Sequence, residues 1–112
     1  MHEMSIAQNI LEIVKEYLGN EHKKLLSVTV EVGELTAVIP ESLQFCFEAV
    51  LAETPYPDAR LIIKQIPLSG QCEQCGKVFK IENYLFTCPE CKSIQIKVLN
   101  GQELKVTELE VE

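Results

Sequence analysis

The sequence predicts a mixed α/β fold that carries a small metal-binding ribbon, and three observations support this prediction. Residues 4–18 repeat apolar side chains at the spacing of an amphipathic helix. A strand, a second helix and another strand follow in close succession, which favours a parallel strand pair. The C-terminal half then contains two Cys-x-x-Cys pairs. With 112 residues, the chain is long enough for one domain with a buried core.

Composition and charge narrow the classes of function. The chain is 46% hydrophobic and has a net charge of −7, from 17 acidic and 10 basic residues. A field of this sign repels phosphate backbones, so nucleic acid is not an expected partner. No apolar run approaches the ~20 residues that a bilayer span needs, and the start lacks the features of a secretory signal. We therefore expect a soluble, cytoplasmic protein.

The first helix has recognisable start and stop signals. Ser5 and Gln8 form an S-x-x-Q capping box, and Gly19 suits the C-terminal end. With this cap, residues 1–4 form a short arm in front of the helix. The apolar stripe consists of Ala7, Ile10, Leu11, Val14 and Leu18, widened by Ile6, Ile13 and Tyr17.

The middle of the chain predicts strand, helix and strand. Residues 25–33 alternate between apolar and polar side chains, as in a strand with one buried face. Pro40 and Glu41 open the second helix, and residues 59–67 form the next strand. Cys46 lies beside the apolar stripe of this helix, where a small buried packing residue is expected. That stripe consists of Leu43, Phe47, Val50 and Leu51.

The C-terminal part predicts a hinge, the cysteine segment and a hairpin. Residues 68–70, Leu-Ser-Gly, have the composition of a hinge. Residues 94–111 alternate around an Asn-Gly pair, which predicts a hairpin whose second arm returns to the sheet. The alternation slips by one residue between Val106 and Leu109, so we expect a β-bulge or a change of partner there.

Four of the five cysteines have the spacing of a zinc site. Cys72 and Cys75 form one Cys-x-x-Cys pair, and Cys88 and Cys91 form a second one after twelve intervening residues. Two intervening residues allow both sulfurs of a pair to bind one ion. Four thiolates complete a tetrahedron at ~2.3 Å and leave no open position, which is typical of structural rather than catalytic zinc.

Three other interpretations of these cysteines remain open. They are a rubredoxin-like iron centre, a redox-active Cys-x-x-Cys, and unligated core cysteines. Against iron, the ribbon offers only Phe79, Tyr84 and Phe86 to shield a redox centre. Against a redox thiol, neither pair is predicted where a strand meets the start of a helix, the setting that lowers a cysteine pKa.

His2 is a candidate nickel ligand because of its position. A terminal amine at Met1, the amide nitrogen of residue 2 and the imidazole of His2 can chelate one ion in adjoining rings. Nitrogen donors of this kind favour square-planar Ni²⁺ or Cu²⁺ over zinc. This requires that Met1 is retained and unblocked. Glu3 either adds a carboxylate oxygen or stabilises the start of the helix.

Several segments together resemble the HypA family of hydrogenase nickel-insertion accessory proteins. They are MHEMS at the start, VGELTAVIPESLQFCFE in the middle, CEQCG and CPEC in the ribbon, and NGQELKVTELEVE at the end. The resemblance implies a small mixed sheet flanked by two helices, with a projecting zinc ribbon. It also implies nickel binding at His2 with the Met1 amine, and structural zinc on Cys72, Cys75, Cys88 and Cys91.

The resemblance further implies partners and a division of the chain. The partners are a HypB-type GTPase and the large subunit of [NiFe]-hydrogenase, and some members also serve urease maturation. We expect a nickel-binding α/β domain of residues 1–69 completed by a strand at 102–112, and a zinc-binding ribbon at 70–101. The predicted protein is a metallochaperone and not an enzyme, with Zn²⁺ as a structural cofactor and Ni²⁺ as transferable cargo. The alternatives are a rubredoxin-like electron carrier and a protein-binding zinc ribbon. The remaining histidine, His22, is expected in a solvated loop.

Overall fold

The fold combines two helices with two small sheets. A computed structural model describes residues 2–19 and 24–112, and within these ranges the chain is elongated, with extents of 56 × 22 × 16 Å. Strand orders are β2-β1-β6 and β4-β3-β5. The predicted mixed α/β class, with helices beside a small mixed sheet, is confirmed. The elements are α1 Glu3–Leu18, β1 Leu25–Gly33, a 3-10 helix Glu34–Thr36, α2 Pro40–Leu51, β2 Arg60–Ile66, β3 Ser69–Cys72, β4 Val78–Lys80, β5 Ile96–Asn100 and β6 Leu104–Val111.

The core lies between the two helices and the sheet that contains β1. This strand pairs parallel with β2, as predicted, and antiparallel with β6. Its valines at 28, 30 and 32 pack against the apolar stripes of both helices. Ser27 and Thr29 are buried as well, although they alternate with the valines. The expectation of one buried face was therefore incomplete, because a central strand is also covered by its two neighbours.

The first helix begins earlier than the sequence predicts. It starts at Glu3, with His2 as the N-cap residue and no side-chain capping hydrogen bond, so the predicted capping box at Ser5 and Gln8 is wrong. The start is held instead by a tertiary contact, in which the Ser42 hydroxyl donates to Glu3 Oε1 at 3.0 Å. Gly19 ends the helix as predicted, with φ at 56°.

The predicted hairpin over residues 94–111 is wrong, because its two arms belong to different sheets. Strand β5 pairs with β3, while β6 pairs with β1. Alternation of apolar residues is the same whichever strand is the partner, so the pattern did not reveal the change of sheet. The bulge is confirmed, since Thr29 pairs with Glu108 and Val30 pairs with Val106, which leaves Thr107 as the extra residue.

The predicted hinge at residues 68–70 is also wrong. Leu68 is fully buried, and Ser69 and Gly70 already belong to β3. The Leu68 N–H donates to a carboxylate oxygen of Glu34 at 2.9 Å, which ties the start of the ribbon to the end of β1. Glycine occurs at position 70 because a Cβ atom there would lie 2.7 Å from Cγ2 of Ile96.

The two sheets meet at a close crossing of backbone segments. The Leu35 N–H donates to the Gly101 carbonyl at 2.8 Å. A Cβ atom on Gly33 would overlap that same carbonyl, so only glycine allows this approach. The crossing fixes the point at which the chain returns from the ribbon to β6.

We predict that Gly33→Ala lowers the free energy of unfolding by about 2 kcal/mol or more, because a backbone group must move to accept the methyl group. Gly19→Ala is the matched control, since its Cβ meets nothing within 4 Å and only its positive φ is unfavourable, at a cost of about 1 kcal/mol. Urea unfolding of the zinc-loaded chains, followed by circular dichroism, measures both. An equal or smaller loss for Gly33→Ala would contradict the close crossing.

Candidate metal centre

The first cysteine pair forms a tight turn whose amides face its sulfur. The Cys75 N–H donates to Cys72 Sγ at 3.4 Å, and the Gly76 N–H donates to the Cys72 carbonyl at 3.0 Å. The Cys72 N–H donates to the Lys77 carbonyl at 2.9 Å. Gly76 has φ of 80°, a left-handed conformation that glycine adopts without steric cost.

The second cysteine pair forms the same kind of turn, with equivalent hydrogen bonds. The Cys91 N–H donates to Cys88 Sγ at 3.5 Å, and the Lys92 N–H donates to the Cys88 carbonyl at 3.1 Å. The Cys88 N–H donates to the Ser93 carbonyl at 2.9 Å. Lys92 occupies the position of Gly76 and has φ of 64°. In each turn the first cysteine is buried and the second is exposed.

The structure brings all four predicted cysteines together. Their Sγ atoms lie within 4.8 Å of one another, and the distances Cys72–Cys91 and Cys75–Cys88 are both 3.5 Å. Four sulfurs at ~2.3 Å from one tetrahedral ion are about 3.8 Å apart. The four residues therefore fit one four-coordinate ion with no remaining open position.

The hydrogen bonds at the sulfurs divide the four thiols into two kinds. The Cys75 N–H is the main cause that lowers the pKa of Cys72, to about 6. The Cys91 N–H likewise lowers the pKa of Cys88. Although the Lys77 N–H favours the Cys75 thiolate, the neighbouring Cys88 sulfur raises the pKa of Cys75 to about 12. In each turn, therefore, the pKa of the first cysteine is lowered and that of the second is raised.

The same geometry argues against two of the three alternative interpretations of the cysteines, namely unligated core residues and a redox-active pair. Cys75 and Cys91 are exposed, so the four are not unligated core residues. Within the described ranges neither pair opens a helix, so the helix-start setting of a redox thiol is missing. Cys46 lies outside the cluster, half-buried against the main core. A set of four sulfurs suits zinc and iron alike.

The N-terminal candidates lie in the other part of the fold, at the start of α1. His2 is exposed, with extended φ and ψ of −89° and 114°, and its carbonyl accepts the Ile6 N–H at 3.2 Å. Glu3 is half-buried and hydrogen-bonded to Ser42. Met1 and His22 lie outside the described residues. Sequence reasoning missed Ser42, because 39 positions separate it from Glu3 and no local pattern connects them.

Four thiols converge on a three-stranded ribbon, and the ribbon is joined to a small mixed sheet flanked by two helices. This combination defines a metal-binding protein. No helix within residues 2–19 and 24–112 has the length and apolar character of a membrane span. A family model described as hydrogenase/urease nickel incorporation, metallochaperone, hypA matches residues 1–111. The chain belongs to this family, as its sequence motifs predicted.

Named relatives and solved structures match this chain along nearly all of its length. Hydrogenase maturation factors HypA from Geobacter metallireducens and Geobacter sulfurreducens are 44% and 46% identical, each over 100% of both chains. The solution structure of the Ni metallochaperone HypA from Helicobacter pylori is 26% identical, with a TM-score of 0.68, and the match covers 98% of this chain and 97% of that one. A second solution structure of HypA protein gives a TM-score of 0.72 at 26% identity, over 100% of this chain and 97% of that one.

We predict that Cys72→Ser and Cys91→Ser each abolish stable metal binding at the ribbon, because a three-sulfur site leaves an open position and metal binding is itself folding free energy. Cys46→Ser is the matched control, since this residue lies outside the cluster. Metal content after gel filtration and limited proteolysis of the ribbon are the measurements. Full metal content with unchanged proteolysis in either ribbon variant would contradict the four-sulfur site.

Proposed function

We propose that this chain is a nickel metallochaperone that binds Ni²⁺ at its N-terminus and delivers it for maturation of [NiFe]-hydrogenase. The observation that carries the proposal is the match of residues 1–111 to a nickel-incorporation family. That match includes both His2 and the four cysteines. The Helicobacter pylori relative is described as a Ni metallochaperone, and the Geobacter relatives are named hydrogenase maturation factors.

The ribbon cysteines are proposed to hold zinc for structure. The Sγ atoms of the four ribbon cysteines lie within 4.8 Å of one another. Together they would complete a tetrahedral site for zinc, which binds without redox chemistry or geometric preference. Zinc bound there would supply folding energy to a ribbon whose strands are only three to five residues long. The site has no open position for substrate, which supports a role other than catalysis.

The nickel site is proposed at His2 with the amine of Met1 and the adjacent backbone. The first N–H groups of a helix have no intrahelical acceptor, and α1 has no side-chain cap to occupy them. The amide nitrogens of His2 and Glu3 are therefore available to a metal. A bare cation is unfavourable at the positive end of a helix. Deprotonated amides carry negative charge, so they compensate for this and select Ni²⁺ or Cu²⁺ over zinc.

The Glu3 side chain is proposed to hold the helix start in place. Its Oε1 accepts the Ser42 hydroxyl and thereby connects the first turns of α1 and α2. A site at an exposed N-cap can bind and release its ion quickly, which suits cargo that must be transferred.

The two sheets are proposed to act as two units. Residues 1–69 with 102–112 form the nickel-binding unit, and residues 70–101 form the zinc ribbon. The proposed partners are a HypB-type GTPase and the hydrogenase large subunit, with urease maturation factors as further recipients. The proposed location is the cytoplasm, where reduced thiols remain available to zinc.

We predict that His2→Ala abolishes specific nickel binding while zinc content and helix content remain, because His2 precedes the first residue of α1. His22→Ala, which changes the other histidine of the chain, should retain nickel affinity. An N-terminal tag should act like His2→Ala, because it removes the free amine. Titration calorimetry with Ni²⁺ measures all three proteins. Unchanged nickel affinity in the tagged protein would exclude the amine as a ligand.

We predict that nickel affinity falls by more than about tenfold between pH 7.5 and pH 6, because imidazole and α-amino groups gain protons across this range. Every proton that binds a ligand nitrogen competes with Ni²⁺ for its lone pair. Zinc should stay bound, because four thiolates already held by the metal are hard to protonate. Nickel affinity that does not change with pH, or zinc released before nickel, would contradict the nitrogen site.

A further inference from the structure

A groove between α1 and β6 lies on the main sheet, away from the ribbon cysteines. It has a volume of 330 Å³, and its walls include Ile13 and Tyr17 on the helix and Val106, Leu109 and Val111 on the strand. The Tyr17 side chain is 81% exposed although it borders this apolar groove. Volumes of roughly 300–1,000 Å³ are typical of ligand sites, so the groove has room for a few side chains.

The outer edge of β6 runs along the same groove. Within the described residues β6 pairs with β1 on one side and with no strand on the other. It is eight residues long, and such an exposed edge offers a row of unpaired N–H and C=O groups. The opposite edge of the sheet differs, because the Gln44 side chain of α2 donates to the Leu61 carbonyl of β2 at 2.7 Å. Strand addition is therefore favoured at β6.

We propose that the groove between α1 and β6 binds an extended segment of a partner protein, which adds to the sheet as a strand beside β6. A helix next to a free strand edge is the arrangement by which several peptide-binding domains extend a sheet with their ligand. The backbone of β6 would supply hydrogen bonds, and the groove would receive every second side chain of the segment. This inference goes beyond the proposed nickel chemistry and does not depend on it.

The side chains around the edge specify an alternating apolar and basic segment. Val106, Leu109 and Val111 lie on the core side of β6, where apolar side chains of the segment would pack. Glu108 and Glu110 pair with Thr29 and Ser27 of β1, on the opposite face of the sheet. Basic side chains of the segment would lie beside these two carboxylates, and opposite charges on neighbouring strands are favourable.

A second copy of the chain is a poor occupant of the edge. In a β6 to β6 pair centred on Leu109, Glu108 of one strand would lie beside Glu110 of the other, and like charges on neighbouring strands are destabilising. Lys105 does not offset them, because its Nζ already contacts Glu31 Oε1 at 3.7 Å. Glu108 itself lines the groove, so negative charge lies at the proposed site. The occupant is therefore a segment of a different, basic protein surface.

The test uses the zinc-loaded full chain and a peptide of alternating lysine and valine, acetyl-KVKVKVK-amide. NMR titration measures the affinity, and amide hydrogen exchange measures which strand becomes protected. We expect saturable binding with new protection of β6 amides. The acidic peptide acetyl-EVEVEVE-amide should not bind.

Variants with matched controls locate the site. Tyr17→Ala should weaken peptide binding by about tenfold, because exposed aromatic anchors dominate such interfaces, whereas Phe45→Ala changes an aromatic residue that is 71% exposed on α2 and should have no effect. The pair Glu108→Lys and Glu110→Lys should abolish binding of the lysine peptide and allow the glutamate peptide to bind. The pair Glu73→Lys and Glu82→Lys on the ribbon makes the same change in net charge and should preserve the original preference.

The proposal is overturned if the lysine peptide does not bind at millimolar concentration, or if protection appears on a strand other than β6. It is also overturned if the double variant at Glu108 and Glu110 and the double variant at Glu73 and Glu82 show the same peptide preference. Self-association of the chain through β6 would overturn it as well. Nickel and zinc content should be unchanged in Tyr17→Ala. Loss of peptide binding with full metal content therefore separates this site from the nickel site.

Discussion

The central strand β1 is the constraint that positions the other elements. It is hydrogen-bonded to β2 on one edge and to β6 on the other, and its valines form the surface on which both helices pack. Its last residue, Gly33, touches the segment at Gly101 that returns from the ribbon. The ribbon therefore leaves and rejoins the body at the end of one strand. Any change in the path of β1 would move the helices and the ribbon together.

The proposed sites place two kinds of metal chemistry in separate parts of one short chain. The ribbon presents four sulfurs, two of them buried, in turns whose amides already point at sulfur. A closed four-sulfur site is typical of a structural ion. The proposed N-terminal site has nitrogen donors at an exposed helix start, where an ion can enter and leave. Because soft sulfur and amide nitrogen favour different ions, the two sites need not compete for one metal.

Local sequence patterns predicted most of the helices and strands. They failed where contacts between residues distant in sequence determine the structure. The helix predicted over residues 4–18 and the strands β1 and β2 follow from periodicity, and the cysteine cluster follows from spacing. The phase slip near Thr107 correctly predicted the bulge. The start of α1 was misplaced because the helix begins without a side-chain cap, and its first turn is fixed by a contact with Ser42, which is remote in sequence. The hairpin was misassigned because alternation shows that a segment is a strand but not which strand it pairs with.

X-ray absorption at the nickel and zinc edges of one doubly loaded sample tests the separation of the two sites most directly. The expected zinc spectrum shows four sulfur neighbours at ~2.3 Å. The expected nickel spectrum shows only nitrogen and oxygen neighbours, with the edge features of a square-planar ion. A sulfur neighbour around nickel, or nickel that replaces zinc in the ribbon, would contradict the assignment of Ni²⁺ to His2 and of Zn²⁺ to the four cysteines.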